Sequence, residues 1–229
     1  AAPTDWYVAA GDWGTTNRWT CQPQWSWFGG LAEFGPAAVW NKKVFYGDIT
    51  VDAYCCFGML RDYPRSYKNP ADLNLTICGD GADLGSGYTF IVGGWQNHRT
   101  AILKGGKVLA ETTDPAFLLP LFEDTSWDSY GFHRKWWGIR ARKIGNLLQL
   151  YVDERLALET RDPNPLPGGR VALWGHDNRI VFARVGIWYE ALADPEPPLP
   201  AEKYTVRPQL AATTRGPSQG RRAGRRPAA

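Results

Sequence analysis

The sequence predicts an all-β protein, a sandwich of two antiparallel sheets. Short apolar runs recur along the chain, and Gly, Pro, Asp and Asn cluster in the gaps between them. This spacing is typical of a β-sandwich, in which each strand ends near a tight turn. Alternating strand and helix units are missing, and only 115–122 shows a weak helical period. A doubly wound parallel sheet is therefore disfavoured.

The predicted strands follow one another from Trp6 to Tyr189, each an apolar run bounded by turn signals. In order they are 6–9, 13–19, 37–40, 47–57, 73–78, 88–93, 99–104, 107–112, 135–143, 146–152, 155–160, 169–174 and 180–189. Two hairpins give the clearest pattern. In 146–157 a short polar turn separates two apolar runs, and in 168–189 a Gly/Asp/Asn turn does so.

Alternation of residue types assigns side chains to the two faces of these strands, because successive residues point to opposite sides. On this basis the predicted core face comprises Ile49, Val51, Ala53, Trp137, Ile139, Ala141, Val181, Ala183, Val185 and Ile187. The opposite face then comprises Asp48, Thr50, Asp52, Tyr54, Trp136, Arg140, Arg142, Phe182, Arg184 and Trp188. We expect Ile49, Val51, Leu148, Leu150, Val185 and Ile187 to be buried.

Charge divides the chain into two parts. The whole chain has a net charge of +3. Residues 204–229 contain six Arg and no Lys, Asp or Glu, so they contribute +6 and the rest of the chain carries −3. A nearly neutral body has no basic stripe for nucleic acid, and no apolar run is long enough for a transmembrane segment. We expect one β-sandwich domain at 1–193 and a Pro-rich linker with a disordered basic tail at 194–229. Such a linker indicates fusion to further domains.

The four cysteines leave two alternatives open. Cys55 and Cys56 are adjacent and face opposite sides of a strand. Either one could pair with Cys21 or Cys78, or all four could be buried thiols. Zinc-site spacings of Cys and His are missing.

Several segments resemble one family. They are Leu-Tyr-Val-Asp at 150–153, Gly-Arg-Val-Ala-Leu-Trp at 169–174, Phe-Ala-Arg-Val at 182–185, 38–49, and 87–95. Together they resemble concanavalin-A-like (laminin-G-like) jelly rolls, near bacterial 3-keto-disaccharide hydrolase-like domains. The resemblance implies a two-sheet antiparallel jelly-roll sandwich and a polysaccharide or oligosaccharide ligand. The E-x-D-x-E strand of related glucanases is missing, so glucanase chemistry is not implied.

The candidate carbohydrate-binding residues are Trp136, Arg140, Arg142, Arg184 and Trp188. Tryptophan rings stack on the apolar faces of sugars, and Arg pairs with hydroxyls, uronates or sulfates. The Arg-rich setting suggests an acidic glycan. The alternative for any single Trp is a place in the core.

Other residues could carry chemistry. Asp48 and Asp52 are candidate acid and base residues, although their Cα atoms lie roughly 13 Å apart on an extended strand. His98, His133 and His176 lack a nucleophile motif and are expected to be ordinary loop histidines.

Asp80 and Asp83, in a Gly-rich loop, could offer oxygens to a structural Ca²⁺, which the family often carries. A plain loop is the alternative, with no cofactor.

We therefore expect a carbohydrate-binding module of a larger extracellular, cell-surface or periplasmic protein. A glycan-degrading enzyme, either a glycoside hydrolase or a polysaccharide lyase, is the first alternative. A structural or protein-interaction sandwich is the second. An enzyme needs acidic, His or Tyr groups that converge on a groove, a binder needs only aromatic and hydrogen-bonding groups, and an interaction module needs a flat apolar patch.

Overall fold

The computed structural model describes residues 5–16, 27–32, 34–57, 72–119 and 135–194. The predicted tail beyond Asp194, together with Cys21 and His133, lies outside the described residues. Strands make up 68% of the described part of the chain and helix 5%, which confirms the all-β prediction. No helix in the described ranges is long and apolar enough to span a membrane.

Fourteen strands form within the described ranges. They are β1 (Trp6–Ala10), β2 (Asp12–Thr16), β3 (Trp27–Leu31), β4 (Pro36–Asn41), β5 (Phe45–Phe57), β6 (Leu73–Gly79), β7 (Tyr88–Gly93), β8 (Arg99–Lys104), β9 (Lys107–Thr112), β10 (Trp137–Ile144), β11 (Leu147–Val152), β12 (Arg155–Arg161), β13 (Gly168–His176) and β14 (Arg179–Leu192). A short turn, α1 (Gly94–Asn97), joins β7 to β8, and Pro115–Phe117 is a 3₁₀ turn.

The strands form two antiparallel layers. The first sheet has the order β9-β8-β7-β6-β13-β4-β1, and the second has the order β12-β11-β10-β5-β14-β3-β2. The start of β13 joins the two layers, because Gly168 and Gly169 pair with β5 before the strand enters the first sheet. Gly169 has φ 152°, and a Cβ there would lie 2.4 Å from the Cys78 carbonyl carbon. Only glycine fits this crossing.

The core lies between the facing sides of the two sheets. Ile49, Val51, Leu148 and Leu150 are fully buried, as predicted. Val185 and Ile187 are only half-buried, although both pack against the core. Each fully buried Leu or Ile side chain contributes about 1.5–3 kcal/mol of transfer free energy.

A β-bulge at Ala183 corrects the predicted alternation of β14. Phe182 pairs with Cys55, and Arg184 pairs with the next residue, Tyr54, so that Ala183 is the extra residue. Phe182, predicted to lie opposite the core, is instead 4% exposed. Ala183, predicted to be in the core, is exposed. The bulge resets the alternation, and Arg184 therefore still points away from the core.

Strand β3 was not predicted from the sequence, because it contains two adjacent glycines. Gly29 and Gly30 lower the strand propensity of this segment. A Cβ on Gly30 would lie 2.2 Å from the indole of Trp13. The glycine makes room for that ring, which also contacts Phe28 at a centroid distance of 4.9 Å.

The turn α1 is left-handed rather than an ordinary α-helix. Trp95, Gln96 and Asn97 have φ values of 52°, 59° and 64°. The Asn97 side chain holds this conformation, because it accepts a hydrogen bond from the Leu119 N–H at 2.8 Å and donates one to the Leu119 carbonyl.

A buried polar cluster fastens the loop that precedes β13 to the first sheet. The hydroxyl of Tyr88 donates to the Asp162 carboxylate at 2.6 Å, and Lys104 Nζ lies 2.6 Å from the same oxygen. Burial alone would raise the pKa of Asp162, but the hydrogen bonds from Lys104, Tyr88 and the Asn164 N–H outweigh it and lower the pKa. The ionised carboxylate therefore stabilises the folded state.

Replacing Asp162 by Asn should lower the free energy of unfolding at pH 7 by about 2 kcal/mol, since a charged, buried hydrogen-bond acceptor is lost. Because the folded-state pKa is depressed, the wild-type contribution is present above the unfolded pKa of about 3.9 and is lost as pH falls through the folded pKa. Urea unfolding at pH 7 and pH 3 measures both effects.

Glu111→Gln is the control for this prediction. Its ion pair with Arg99 is exposed, with side-chain exposures of 45% and 32%, and should contribute less than about 1 kcal/mol. Equal losses in the two variants, or an Asp162→Asn defect that does not shrink at pH 3, would contradict the role given to Asp162.

Candidate functional site

The outer face of the second sheet carries its polar and aromatic side chains in rows. The antiparallel register aligns Gly138 of β10 with Tyr54 of β5, and Tyr54 with Arg184 of β14. Asp153 extends this row, because its Oδ1 accepts a hydrogen bond from the Gly138 N–H at 2.9 Å. This first row therefore places Asp153, Gly138, Tyr54 and Arg184 side by side.

The second row lies one side-chain repeat further along the same strands. Tyr151, Arg140, Asp52 and Gly186 are paired across β11, β10, β5 and β14. An Arg140 Nη2 lies 2.8 Å from Asp52 Oδ2 in an ion pair. This hydrogen bond, together with the Asp52 charge, raises the pKa of Arg140. Arg140 is therefore a fixed cation near the middle of the face.

The third row consists of Gln149, Arg142, Thr50 and Trp188. Arg142 donates to Gln149 Oε1 at 3.2 Å, and Gln149 Nε2 donates to Glu159 at 2.7 Å. These hydrogen bonds hold Arg142 at the sheet surface.

An open cavity of about 360 Å³ lies over the first two rows, within the range of small-ligand sites. Its lining consists of both rows except Gly186, together with Glu154. Gly138 forms part of the floor, and no atom lies within 4 Å of the position its Cβ would take. The cavity therefore depends on the missing side chain at position 138.

Two aromatic rings stand beside this cavity. The ring of Tyr54, which is 45% exposed, stacks on Trp136 at a centroid distance of 5.3 Å and an interplanar angle of 16°. Trp136 is half-buried and also packs against the core. Tyr54 thus presents the accessible ring, while Trp136 supports it from behind.

Trp188 is largely exposed, at 58%. Its ring lies over Gly186, because a Cβ on that glycine would come 2.6 Å from the indole. Gly186 is the cross-strand neighbour of Asp52. A flat indole therefore extends the surface from the edge of the cavity toward the third row.

Charges on the face fall into two groups. Asp52 is paired with Arg140, and Asp153 is 3.1 Å from Lys135 Nζ. Within the described ranges, the side chains of Glu154 and Arg184 form no ion pair or hydrogen bond, and both are exposed. An unpaired anion and an unpaired cation thus line the same cavity.

The structure does not bring the two candidate catalytic carboxylates together. Asp48 accepts a hydrogen bond from the Gly145 N–H at 2.6 Å in the turn between β10 and β11, whereas Asp52 lies in the second row with Arg140. Their catalytic role stays a prediction, and the geometry gives each carboxylate a different structural partner.

Asp80 and Asp83 lie in the loop between β6 and β7, away from this face. Asp80 Oδ1 accepts hydrogen bonds from the N–H groups of Ala82 and Asp83 and from the Ser86 hydroxyl, at 2.8–2.9 Å. Partial burial by itself would raise the pKa of Asp80, but the hydrogen bonds from these donors outweigh it and lower the pKa. No group of three His, Cys, Asp or Glu residues that could hold a metal occurs in the described chain. The calcium site stays a prediction.

The described cysteines and histidines take no part in the site. Cys55, Cys56 and Cys78 are buried, and no disulfide joins any two of them. Burial raises the pKa of the Cys55 thiol, and it raises that of Cys78 to about 12. His98 and His176 are exposed, and His176 Nδ1 lies 3.3 Å from Asp177.

Sequence analysis selected Arg140 and Arg184 correctly as residues of the outer face, but it did not select several others that line the cavity. These are Tyr54, Gly138, Tyr151, Asp153 and Glu154. The alternation of β5 and β11 places Tyr54 and Tyr151 on this face. The local sequence does not indicate that Gly138 and Glu154 line a cavity, because the cavity is formed together with neighbouring strands.

Neither family models nor curated protein sequences match this chain. Solved structures do. A carbohydrate-binding module, CBM66 from Bacillus subtilis, is 16% identical with a TM-score of 0.56, and the match covers 80% of this chain and 94% of that one. The protein has a concanavalin-A-like jelly-roll fold. At this identity the similarity shows the fold alone.

Two further structures share the fold. The exoplasmic/lumenal domain of VIP36, in its Ca²⁺/Man3GlcNAc-bound form, is 9% identical with a TM-score of 0.53, over 86% of this chain and 89% of that one. The alginate lyase AlgAT5 of polysaccharide lyase family 7 is 9% identical with a TM-score of 0.51, over 82% and 96%.

The ion pair between Asp52 and Arg140 should couple the two residues measurably but modestly. A double-mutant cycle with Asp52→Asn and Arg140→Gln should give about 1 kcal/mol, because the side chains are 18% and 39% exposed and solvent screens them. Urea unfolding of the four proteins measures this energy. It should fall in 1 M salt. A coupling energy near zero, or one unchanged by salt, would show that Arg140 is not held by Asp52.

Proposed function

We propose that the protein binds a glycan on the outer face of its second sheet. The cavity over Gly138 carries this proposal, because it combines an open glycine floor, an accessible Tyr54 ring and an arginine fixed by Asp52. A sugar ring offers an apolar face for aromatic stacking and hydroxyls for charged partners. The exposed ring of Trp188 provides a second stacking surface for a neighbouring sugar.

The structural relatives support this class of ligand. One is a carbohydrate-binding module and another was solved with Man3GlcNAc bound. A third is an alginate lyase. Glycan binding is thus compatible with this fold. The choice of binding residues is argued from this chain alone and not from its structural relatives.

Arg184 offers a binding position for one carboxylate of an acidic glycan. Arg184 has no ion-pair partner among the described residues, and a guanidinium presents five donors in a fork that matches a carboxylate. Arg140 uses only part of this capacity on Asp52. A bound carboxylate would therefore meet one free and one fixed guanidinium, and the affinity should decrease as salt is raised.

The biological setting is proposed from the sequence. Four Pro between Asp194 and Pro200 resemble a semi-rigid spacer. We propose that this domain is one module of a larger extracellular or cell-surface protein, in which it holds attached domains against a polysaccharide.

Gly138→Val should abolish glycan binding without lowering stability. Valine suits a strand and meets no atom within 4 Å at this position, so the fold should tolerate it. Its side chain would occupy the cavity floor. Calorimetric titration with glycans that the wild type binds, together with thermal unfolding, measures the two effects.

The matched control is Gly14→Val, since Gly14 also lies in a strand with no atom within 4 Å of its Cβ position, but on β2 outside the cavity. Unchanged affinity in Gly138→Val would place the binding site elsewhere. Turnover of an oligosaccharide, abolished by Asp52→Asn, would instead establish the enzyme alternative.

Trp188→Ala should weaken glycan binding by about 1–3 kcal/mol, the energy of a lost aromatic platform at an interface. Stability should change little because the ring is mostly exposed. Trp136→Ala should also weaken binding, but with a loss of stability, because it supports Tyr54 and packs on the core. The control is Trp95→Ala, because Trp95 is an exposed tryptophan in the turn α1, between β7 and β8 of the first sheet. Equal binding by Trp188→Ala and wild type would remove Trp188 from the site.

A further inference from the structure

The two-residue turn between β11 and β12 has an unusual composition. Asp153 and Glu154 have φ values of 48° and 64°, which is the conformation of a type I′ hairpin turn. Such turns favour Asn or Asp at the first central position and Gly at the second. Glutamate at the second position is therefore a residue that the turn itself does not favour.

Asp153 has a structural explanation. Its Oδ1 accepts the Gly138 N–H at 2.9 Å and its Oδ2 lies 3.1 Å from Lys135 Nζ. Glu154 has no such contact: its exposed carboxylate makes no hydrogen bond or ion pair with the described residues, and its charge acts on Arg140 only at longer range. It does line the cavity over Gly138.

Glu154 follows Asp153 in the turn between β11 and β12, so it lines the cavity from that end, whereas Arg184 lines it from β14. Asp153 and Arg184 stand at the two ends of the first row, three strand spacings or about 14 Å apart. Gly138 and Tyr54 lie between them. A sugar over the glycine floor would therefore have an unpaired guanidinium on one side and an unpaired carboxylate on the other.

We propose that Glu154 is the specificity-determining residue of this site, and that it selects a uronate: a sugar whose carboxylate binds Arg184 while its free hydroxyls donate to Glu154. This inference rests on the proposed glycan-binding function. The same carboxylate excludes sulfated sugars, because an O-sulfate on that side removes the hydroxyl donor and adds a like charge. A face with arginines alone would not distinguish the two kinds of acidic sugar.

The test compares the wild type with Glu154→Gly. The probes are oligosaccharides of galacturonate, guluronate and mannuronate, their O-sulfated counterparts, and a neutral oligosaccharide panel. We expect the wild type to bind at least one uronate. Its affinity for the sulfated counterpart should be lower by about tenfold or more, as the loss of one charged hydrogen bond implies.

Glu154→Gly should raise Tm by about 2–4 °C, since glycine adopts this turn without strain, and should lower uronate affinity about tenfold. Gln96→Gly is the matched control. Gln96 is also exposed with a positive φ of 59°, but lies outside the cavity. It should raise Tm with unchanged affinity. Glu154→Gln keeps an acceptor without the charge, and should retain uronate binding while the sulfated probe gains affinity.

Full uronate affinity in Glu154→Gly would overturn the inference, as would a wild type that prefers sulfated or neutral glycans. In both cases glycan binding itself would stand. A wild type that binds no probe would overturn the proposed function together with this inference.

Discussion

The register of β5 with β10 and β14 is the constraint on which both the core and the candidate site depend. β5 runs through the centre of the second sheet and pairs with both neighbours along most of its length. Because side chains alternate along a strand, the register that buries Ile49, Val51 and Ala53 also places Asp52 and Tyr54 on the outer face. A slip of one residue would exchange the two faces, so the hydrophobic core indirectly fixes the geometry of the site.

A β-bulge, two glycines and a turn residue with positive φ modify the regular second sheet around the cavity. The bulge at Ala183 resets β14 so that Arg184 stands beside Tyr54. Gly138 and Gly186 carry no side chain, which leaves space for the cavity floor and for the Trp188 ring. At Glu154 the backbone adopts a conformation that glycine would adopt more easily. Several departures from an ideal sheet therefore lie at the cavity, as can occur where a site imposes requirements that differ from those of stability.

Much of the fold could be predicted from the sequence, because strands with one buried face show their period locally. The β10 alternation assigned Trp137, Ile139 and Ala141 to the core correctly. β3 was missed because Gly29 and Gly30 carry no strand signal, and their role appears only when Trp13 packs across them. Phe182 and Ala183 were assigned to the wrong faces, since a bulge depends on the partner strand.

The sequence by itself determined the fold class, most of the strands and the outward direction of Arg140 and Trp188, because these depend on local period and turn residues. Only the tertiary structure decided which outward residues meet. It gave Asp48 and Asp52 different partners, stacked Tyr54 on Trp136, and brought Glu154 and Arg184 into the lining of one cavity. The physical reason is that cross-strand neighbours are set by the pairing of segments distant in sequence, which no local pattern encodes.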